Sequence, residues 1–219
     1  TVVELNLDDI RSNPYQPRKT FDETSLSELS DSIRKQGVIQ PIIVRQSKVS
    51  GYEIIAGERR YRASKMAKRT TIPAIVRDLN EEEMMEIAVL ENLQREDLTP
   101  LEEAQAYNTL MENLNLTQAQ VSEKLGKSRP YIANYLRLLS LPKAVKDFLQ
   151  KGSLSMGQAR TLLSVKDKKK LVALAEKTVE EGLTVRQLES IVNELNGEKG
   201  KQKKDRTPAK LSTYLKHSE

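Results

Sequence analysis

The sequence predicts an α+β domain followed by an all-α domain. Short apolar runs with strand-like alternation occur before residue 78, where glycine and proline turns separate them. From Glu81 onward, apolar residues recur at helical spacing between recognisable helix caps. Hydrophobic residues make up 37% of the chain but aromatic residues only 4%, which suits small cores of Leu, Ile, Val and Ala.

The composition excludes several kinds of active site. The chain of 219 residues has no cysteine, so disulfides, thiolate metal sites and a cysteine nucleophile are excluded. Its one histidine is His217, near the end, which excludes Ser-His triads and most zinc sites. A net charge of +5 is compatible with a polyanionic partner. No apolar run approaches the length of a membrane span, so we expect a cytoplasmic protein that does not use a membrane.

Four segments have the pattern of β-strands. Residues 2–7 alternate apolar and polar side chains, and residues 41–45 and Tyr52–Ala56 flank a glycine turn. Residues 72–76 follow the same pattern, and Pro73 predicts a strand that lies at a sheet edge or starts irregularly.

A helix and a stiff loop lie between the first two strands. Ser25 and Glu28 have the spacing of a capping box, and Gly37 marks the end of that helix. The preceding segment 13–18, Asn-Pro-Tyr-Gln-Pro-Arg, contains two prolines and therefore predicts an extended loop with Gln16 and Arg18 as its polar tips.

A basic turn follows the strand Tyr52–Ala56. Gly57 precedes a run of helix formers, and Arg59 and Arg60 lie in the first turn, where the helix dipole disfavours cations. This arrangement indicates a bound anion, with phosphate the obvious candidate. A plain solvated basic turn explains the same residues, and the pattern alone leaves both interpretations open.

Two helix patterns join this region to the C-terminal half. Residues 81–95 have an acidic first turn and end in a polar stretch where Glu91 and Arg95 have the spacing of an exposed ion pair. Thr99 and Glu102 then form a capping box, with buried positions expected at Leu101, Ala104, Met111 and Leu114.

Residues 117–139 have the pattern of a helix-turn-helix. Thr117 caps the first helix, Gly126 makes the turn and Ser128 caps the second helix. If the motif reads DNA, 128–139 is the recognition helix, and an arginine near its start suits a bidentate contact to guanine. An ordinary αα-hairpin remains the alternative. The exposed side chains near the start of this helix are expected to be Arg129, Tyr131, Asn134 and Tyr135.

Beyond Pro142 we expect short helices in 144–150, 155–163, 167–180 and 184–195, followed by a charged, structureless linker. The predicted domains are therefore 1–78, the connecting helices 79–116, the helix-turn-helix domain 117–196 and the linker 197–219.

Four motifs stand in the order found in chromosome-partitioning ParB proteins, which the chain resembles over residues 1 to 195. They are 13–18, Gly-Glu-Arg-Arg at 57–60, Glu-Asn-Leu-Gln-Arg at 91–95, and Gly-Lys-Ser-Arg-Pro at 126–130. The resemblance implies an N-terminal domain that binds and slowly hydrolyses CTP, and a helix-turn-helix that binds the centromere-like palindrome parS. It implies a clamp that slides on DNA.

The resemblance also assigns residues. Catalysis falls to Gln16 and Glu91, and Mg²⁺ to Glu91 and Asn92. The nucleotide-binding residues are Arg18, Gly57, Glu58, Arg59, Arg60, Asn92 and Arg95. The DNA-binding residues are Ser128, Arg129, Tyr131, Asn134, Tyr135, Ser140 and Gly157. The implied partners are parS, nonspecific DNA, a ParA-type ATPase, an SMC condensin and a second copy of the chain, at the nucleoid. A C-terminal dimerisation domain is expected beyond the linker.

Three alternatives remain at this point. The nucleoid-occlusion paralogue shares the fold, but Arg129 and Gly157 match the ParB pattern, and Tyr135 and Ser140 are not the lysines expected of that paralogue. A plain helix-turn-helix regulator would not need the Gly57 turn. A nuclease or kinase on the related sulfiredoxin fold would need a carboxylate cluster or a second substrate site, and the sequence offers neither.

Overall fold

The computed structural model describes residues 1–16 and 21–204, with side chains up to residue 197. These residues form two compact units. The first comprises Thr1–Leu98 and Glu112–Asn115, and the second comprises Thr99–Met111 and the chain from Leu116. Strands occur in the first unit and helices fill the second, so the predicted fold class is confirmed.

The first unit is built on a mixed sheet of five strands in the order β1-β5-β3-β4-β2. β5 pairs antiparallel with β1 and parallel with β3, while β4 pairs antiparallel with β3 and parallel with β2. Ile42, Val44, Ile54 and Ile72 are fully buried or nearly so and form the centre of its core. The strands are β1 (Val2–Asn6), β2 (Ile10–Arg11), β3 (Ile42–Gln46), β4 (Tyr52–Ala56) and β5 (Thr71–Val76).

The expectation that Pro73 marks an edge strand or an irregular start is wrong, because β5 lies inside the sheet. The N–H of Leu7 donates to the carbonyl of Thr70, so alternation along the ladder makes Glu4 and Pro73 a pair without hydrogen bonds. The proline nitrogen therefore points away from β1, and pairing with β3 begins only at Ala74. The missing N–H is tolerated there.

Three helices complete the first unit: α1 (Glu23–Gln36), α2 (Glu58–Met66) and α3 (Glu81–Leu93). The cap of α1 is Asp22, whose side chain accepts from the N–H of Thr24, so the prediction that Ser25 caps this helix is wrong. Gly37 ends α1 with φ of 75°, as predicted. The structure adds a capping box at α3 between Asn80 and Glu83.

Gly57 is required by packing as well as by backbone conformation. Its φ is +108°, which side chains rarely adopt, and an added Cβ would lie 2.5 Å from Cγ2 of Ile42. The glycine therefore lets the start of α2 pack directly on β3.

The second unit is helical throughout its described part. Its core contains the fully buried residues Ala104, Leu138, Leu162 and Leu188. The helices are α4 (Pro100–Glu112), α5 (Gln118–Leu125), α6 (Arg129–Arg137), α7 (Lys143–Gln150), α8 (Met156–Leu162), α9 (Lys168–Glu181) and α10 (Val185–Lys204).

The buried stripe of α4 differs from the prediction at its C-terminal end. Leu101 and Ala104 are buried as expected, but Met111 and Leu114 are only half-buried. Tyr107 and Leu110 take the buried positions instead, because a 3.6-residue period rotates the stripe onto them.

The helix-turn-helix is confirmed as a local structure. Thr117 forms the predicted capping box with Gln120, and Gly126 adopts the left-handed conformation with φ of 65°. Ser128 caps α6 by accepting from the N–H of Tyr131. α6 ends two residues early, and a 3-10 turn, Leu138–Ser140, continues the chain.

The prediction of a structureless linker from residue 197 is wrong for 197–204, where α10 continues. Lysine, glutamate and glutamine favour helix, and extending an existing helix is much easier than starting one. Residues 205–219 lie outside the described residues. Within the described part, no helix is long and apolar enough to cross a membrane.

Candidate nucleotide site and DNA-binding helix

The loop that carries Gln16 is fastened to two helices. Ser12 Oγ donates to Oε1 of Glu58 at the start of α2 (2.5 Å), and Asn13 Nδ2 donates to the carbonyl of Met84 in α3 (3.3 Å). The N–H of Gln16 donates to the carbonyl of Asn13 (3.0 Å), which closes a turn. Gln16 is half-buried at the end of this turn. The loop thus has a defined position relative to both helix starts.

A buried arginine extends this fastening to the sheet. The side chain of Arg45 is 6% exposed and pairs with Glu81 (2.9 Å) and Glu53 (3.2 Å). The other carboxylate oxygen of Glu81 accepts a hydrogen bond from Tyr15 of the loop. The hydrogen bond from Tyr15, followed by Arg45, lowers the pKa of Glu81. Arg18, the other predicted polar tip, lies outside the described residues.

The turn after Gly57 separates its charged residues by role. Glu58 is buried, and its Oε1 also accepts from Nε of Arg62 (3.0 Å). Glu58 is therefore a link between the loop and α2. Arg59 donates to Oγ of Ser25 at the start of α1.

The guanidinium of Arg60 donates to backbone carbonyl oxygens. Its Nη1 donates to Gln40 (2.7 Å) and Pro41 (2.6 Å), and burial lowers the pKa of its guanidinium. Among the described residues, neither Arg59 nor Arg60 forms an ion pair with a carboxylate. This turn therefore has two positive charges that no described carboxylate neutralises, which favours the interpretation that it binds an anion.

The 91–95 segment lies at the other end of α3 from the loop. Asn92 is eight residues beyond Met84, or about 12 Å along the helix axis. Arg95 forms a bidentate pair with Asp97 (3.1 and 2.9 Å), and its Nη1 donates to Oδ1 of Asn92 (3.1 Å). Glu91 is exposed at the helix surface.

These residues fit a phosphate-bound Mg²⁺ better than a metal site made by the protein alone. Within the described residues, no group of three or more His, Asp or Glu side chains could hold a metal ion. Mg²⁺ commonly takes one or two protein oxygens and fills its remaining positions with water and phosphate. The carboxylate of Glu91 and the amide oxygen of Asn92 would supply two such oxygens, of which the Asn92 oxygen accepts a hydrogen bond from Arg95 in this structure (3.1 Å).

The recognition helix presents fewer side chains than predicted. Arg129 is exposed, and Asn134 is half-buried. Tyr131 and Tyr135 are also half-buried, so the prediction of exposure is wrong for these three residues. Tyr135 packs against the helical core. The ring of Tyr135 meets that of Tyr107 edge-on, a contact from α4 that the local pattern could not reveal.

A cavity of about 390 Å³ lies beside the end of this helix. Arg137 of α6 and Arg160 of α8 line it together with Gly157, where an added Cβ would lie 3.1 Å from Val185. Ser140 donates to the carbonyl of Arg137 (2.7 Å). The spacing of 129, 133 and 137 places Arg137 on the same helix face as Arg129, a pattern that could have indicated it from sequence.

Family models match nearly the whole chain. Residues 1–93 match the ParB N-terminal domain and residues 96–197 match the ParB HTH domain. Stage 0 sporulation protein J of Bacillus subtilis is 54% identical over 210 residues, which covers 96% of this chain and 74% of that protein. The chain belongs to the ParB family of chromosome-partitioning proteins.

A solved ParB structure agrees with the fold. C-terminally truncated ParB from Caulobacter crescentus, complexed to the centromeric parS site, is 42% identical, covers 88% of this chain and 99% of its own, and superimposes with a TM-score of 0.70. The nucleoid occlusion protein of Listeria innocua is 44% identical over 198 residues, 90% of this chain and 70% of that protein. The relatives of this chain thus include both a chromosome-partitioning protein and a nucleoid occlusion protein.

Proposed function

We propose that the chain is a CTP-dependent DNA clamp that binds parS, hydrolyses CTP slowly and acts in chromosome segregation. The observation that carries this proposal is the exposed Arg129 on a capped recognition helix, in a fold that matches a parS-bound relative with a TM-score of 0.70. Arginine at this position suits bidentate hydrogen bonds to guanine in the major groove.

Nucleotide binding is the second part of the proposal. Arg59 and Arg60 supply positive charge that no described carboxylate neutralises, at a helix start where backbone N–H groups favour phosphate. A relative of 44% sequence identity has been crystallised with CTP-γ-S. Cytosine selectivity is assigned by family membership, since no side chain of this sequence identifies the base.

The residue roles follow from what triphosphate hydrolysis requires. Phosphoryl transfer depends on positioning and on electrostatic stabilisation rather than on histidine acid–base chemistry. Arg18, Arg59 and Arg60 would hold phosphate oxygens, with Gly57 allowing close approach, and Glu58 would fasten the loop to α2. Gln16 would orient the attacking water.

The end of α3 would complete the site. Glu91 and Asn92 would hold Mg²⁺, which supplies charge neutralisation at the phosphates, and Arg95 would orient Asn92 through their hydrogen bond (3.1 Å).

Replacing Glu91 with Gln is expected to leave CTP binding within about threefold of the parent and to slow hydrolysis at least tenfold, because the amide keeps the shape but loses the charge that holds the metal. Phosphate release at saturating CTP, with and without parS, measures the effect. Glu86→Gln, on the same helix, is the control. An unchanged turnover rate would remove Glu91 from the catalytic assignment.

Replacing Arg137 with Ala is expected to weaken binding to parS and to scrambled DNA by similar factors. The reason is that a guanidinium at the cavity edge would neutralise one phosphate rather than read a base. The slope of log K against log salt concentration should become shallower by about one unit for each phosphate that the variant no longer neutralises. Weaker binding to parS alone, with scrambled DNA unaffected, would show that Arg137 reads sequence.

The partners are proposed with the function. They are parS and nonspecific DNA, a second copy of the chain, a ParA-type ATPase and an SMC condensin, at the nucleoid. Two copies are expected to bind each parS site, because parS is a palindrome with two half-sites.

Nucleoid occlusion is a second candidate, favoured by the 44% identity to the Listeria protein. The two functions differ in the palindrome that is read. Competition between a parS duplex and the nucleoid-occlusion palindrome, at fixed salt, separates them. Tighter binding to parS supports chromosome partitioning, and the reverse preference supports nucleoid occlusion.

The clamp is tested on immobilised DNA that carries one parS site. We expect CTP to raise the amount of bound protein several-fold when both DNA ends are blocked, and much less when one end is open, because a sliding clamp escapes from a free end. A scrambled site with blocked ends is the control. Equal accumulation on open and blocked DNA would contradict sliding.

A further inference from the structure

The recognition helix carries two tyrosines that contact the protein itself. Tyr131 and Tyr135 lie one turn apart on α6, with ring centroids 5.0 Å apart and planes inclined by 38°. Tyr135 also meets Tyr107 of α4 edge-on, at 5.8 Å and 89°. Tyr107 is only 2% exposed. One face of α6 therefore packs against α4.

A single carboxylate serves this aromatic cluster. Glu103 lies one turn before Tyr107 on α4, and its Oε2 accepts a hydrogen bond from Oη of Tyr131 (3.3 Å). Burial, followed by the charge of Glu103, raises the pKa of Tyr107. Burial, the hydrogen bond with Tyr131 and then Glu103 raise the pKa of Tyr135. Both phenols therefore remain protonated beside the carboxylate at neutral pH.

The opposite face of α6 carries Arg129, Asn134 and Arg137. At about 100° per residue, Arg137 lies about 80° around the helix from Arg129, and Asn134 lies about 60° further on. In the described residues, these three side chains form no hydrogen bond or ion pair. Tyr131 and Tyr135 lie beyond Asn134, on the side that packs against α4.

The position of Glu103 needs an explanation if α6 reads DNA. A carboxylate beside a DNA-reading helix repels phosphate. The Lys127 ammonium, 5.0 Å from the Tyr131 ring centroid, offsets part of this charge. A carboxylate that binds no phosphate can still help recognition by fixing which side chains of the helix face outward.

We propose that Glu103 is a positioning residue for DNA recognition: it holds Tyr131 and Tyr135 against α4, so that Arg129, Asn134 and Arg137 form the face that meets DNA, with Arg137 as a phosphate contact. The inference rests on the proposed DNA binding and revises the assignment of both tyrosines as DNA contacts. Without the hydrogen bond between Tyr131 and Glu103, the Tyr131 ring is no longer held against α4, and the orientation of the DNA-facing side chains is no longer fixed. Loss of the Glu103 carboxylate also removes a charge that repels phosphates of any sequence. Loss of Glu103 therefore lowers discrimination while preserving or raising nonspecific affinity.

The test is a double-mutant cycle on the full chain with Glu103→Ala, Tyr131→Phe and the double variant. Fluorescence anisotropy at one salt concentration measures binding to a parS duplex and to a scrambled duplex of equal length. Each single variant should lower the parS-to-scrambled affinity ratio by roughly tenfold, and the double variant should lose no more than one of them. Glu112→Ala, at the exposed end of α4, is the matched control and should bind like the parent.

The outcomes separate this inference from the proposed function. A parent chain that binds both duplexes equally contradicts the function itself. If the parent discriminates but the two single losses multiply in the double variant, Tyr131 contacts DNA directly and the inference is wrong. An equal loss on both duplexes in Glu103→Ala would also overturn it, because it indicates general destabilisation.

Glu103→Gln provides a second, milder variant. The amide keeps an acceptor oxygen for Tyr131, so this variant should retain most of the discrimination. A loss as large as that of Glu103→Ala, with an unchanged melting temperature, would contradict a role for the hydrogen bond.

Discussion

Replacing Arg60 with Ala is expected to abolish CTP binding while leaving parS binding within about threefold of the parent. The charge of Arg60 is half-buried, and no described carboxylate pairs with it. Removing one partner from a desolvated, charge-assisted contact costs about 2–5 kcal/mol, which corresponds to roughly 30-fold to several thousand-fold in affinity. Calorimetric titration with CTP measures the loss.

The control for Arg60 must account for its second role, because its Nη1 also donates to the carbonyls of Gln40 and Pro41. Arg69→Ala is a close match, since Arg69 likewise donates to a backbone carbonyl, that of Ile33 (2.9 Å). Arg69→Ala should lower thermal stability by a similar amount but keep CTP binding. Unchanged CTP affinity in Arg60→Ala would disprove the phosphate role.

Replacing Arg129 with Ala is expected to remove specific binding to parS. Each bidentate guanine contact is worth about 1–3 kcal/mol, and a palindrome doubles the loss when two copies bind. Affinity for scrambled DNA should fall much less. Binding to both duplexes at equal salt checks the result, and wild-type discrimination by the variant would contradict the assignment.

Arg129→Lys is the informative companion to this variant. Lysine keeps the charge but lacks the planar fork that bonds a guanine bidentately. We therefore expect near-parental nonspecific binding together with a large loss of parS preference. If lysine restored full discrimination, the contact would be electrostatic and would not read the base.

Local patterns predicted the elements well, because each depends on neighbouring residues. Thr117, Gly126 and Ser128 cap their helices as expected. The prediction of the α1 cap failed for a nonlocal reason. Asp22 caps the helix, and Ser25 accepts a hydrogen bond from Arg59, which is 34 residues away. Two cap residues so close together cannot be ranked without that contact.

Long-range packing explains the other differences. The internal position of the strand with Pro73 could not be predicted, because the order of strands in a sheet depends on long-range pairing and not on neighbouring residues. Tyr135 has an exposed position by helical period, yet Tyr107 of α4 covers it. The resemblance assigns Gly57 to nucleotide binding, but contact with Ile42 already requires glycine there. The predicted nucleotide, metal and DNA roles of the site residues stay predictions.

The most direct test of the account is calorimetric titration of the full chain with CTP, ATP, GTP and UTP, each with and without a parS duplex. We predict saturable binding of CTP alone among the four nucleotides, and a changed CTP affinity or phosphate-release rate when parS is present. No measurable CTP binding, or equal binding of all four nucleotides with no effect of parS, would contradict a CTP-dependent DNA clamp.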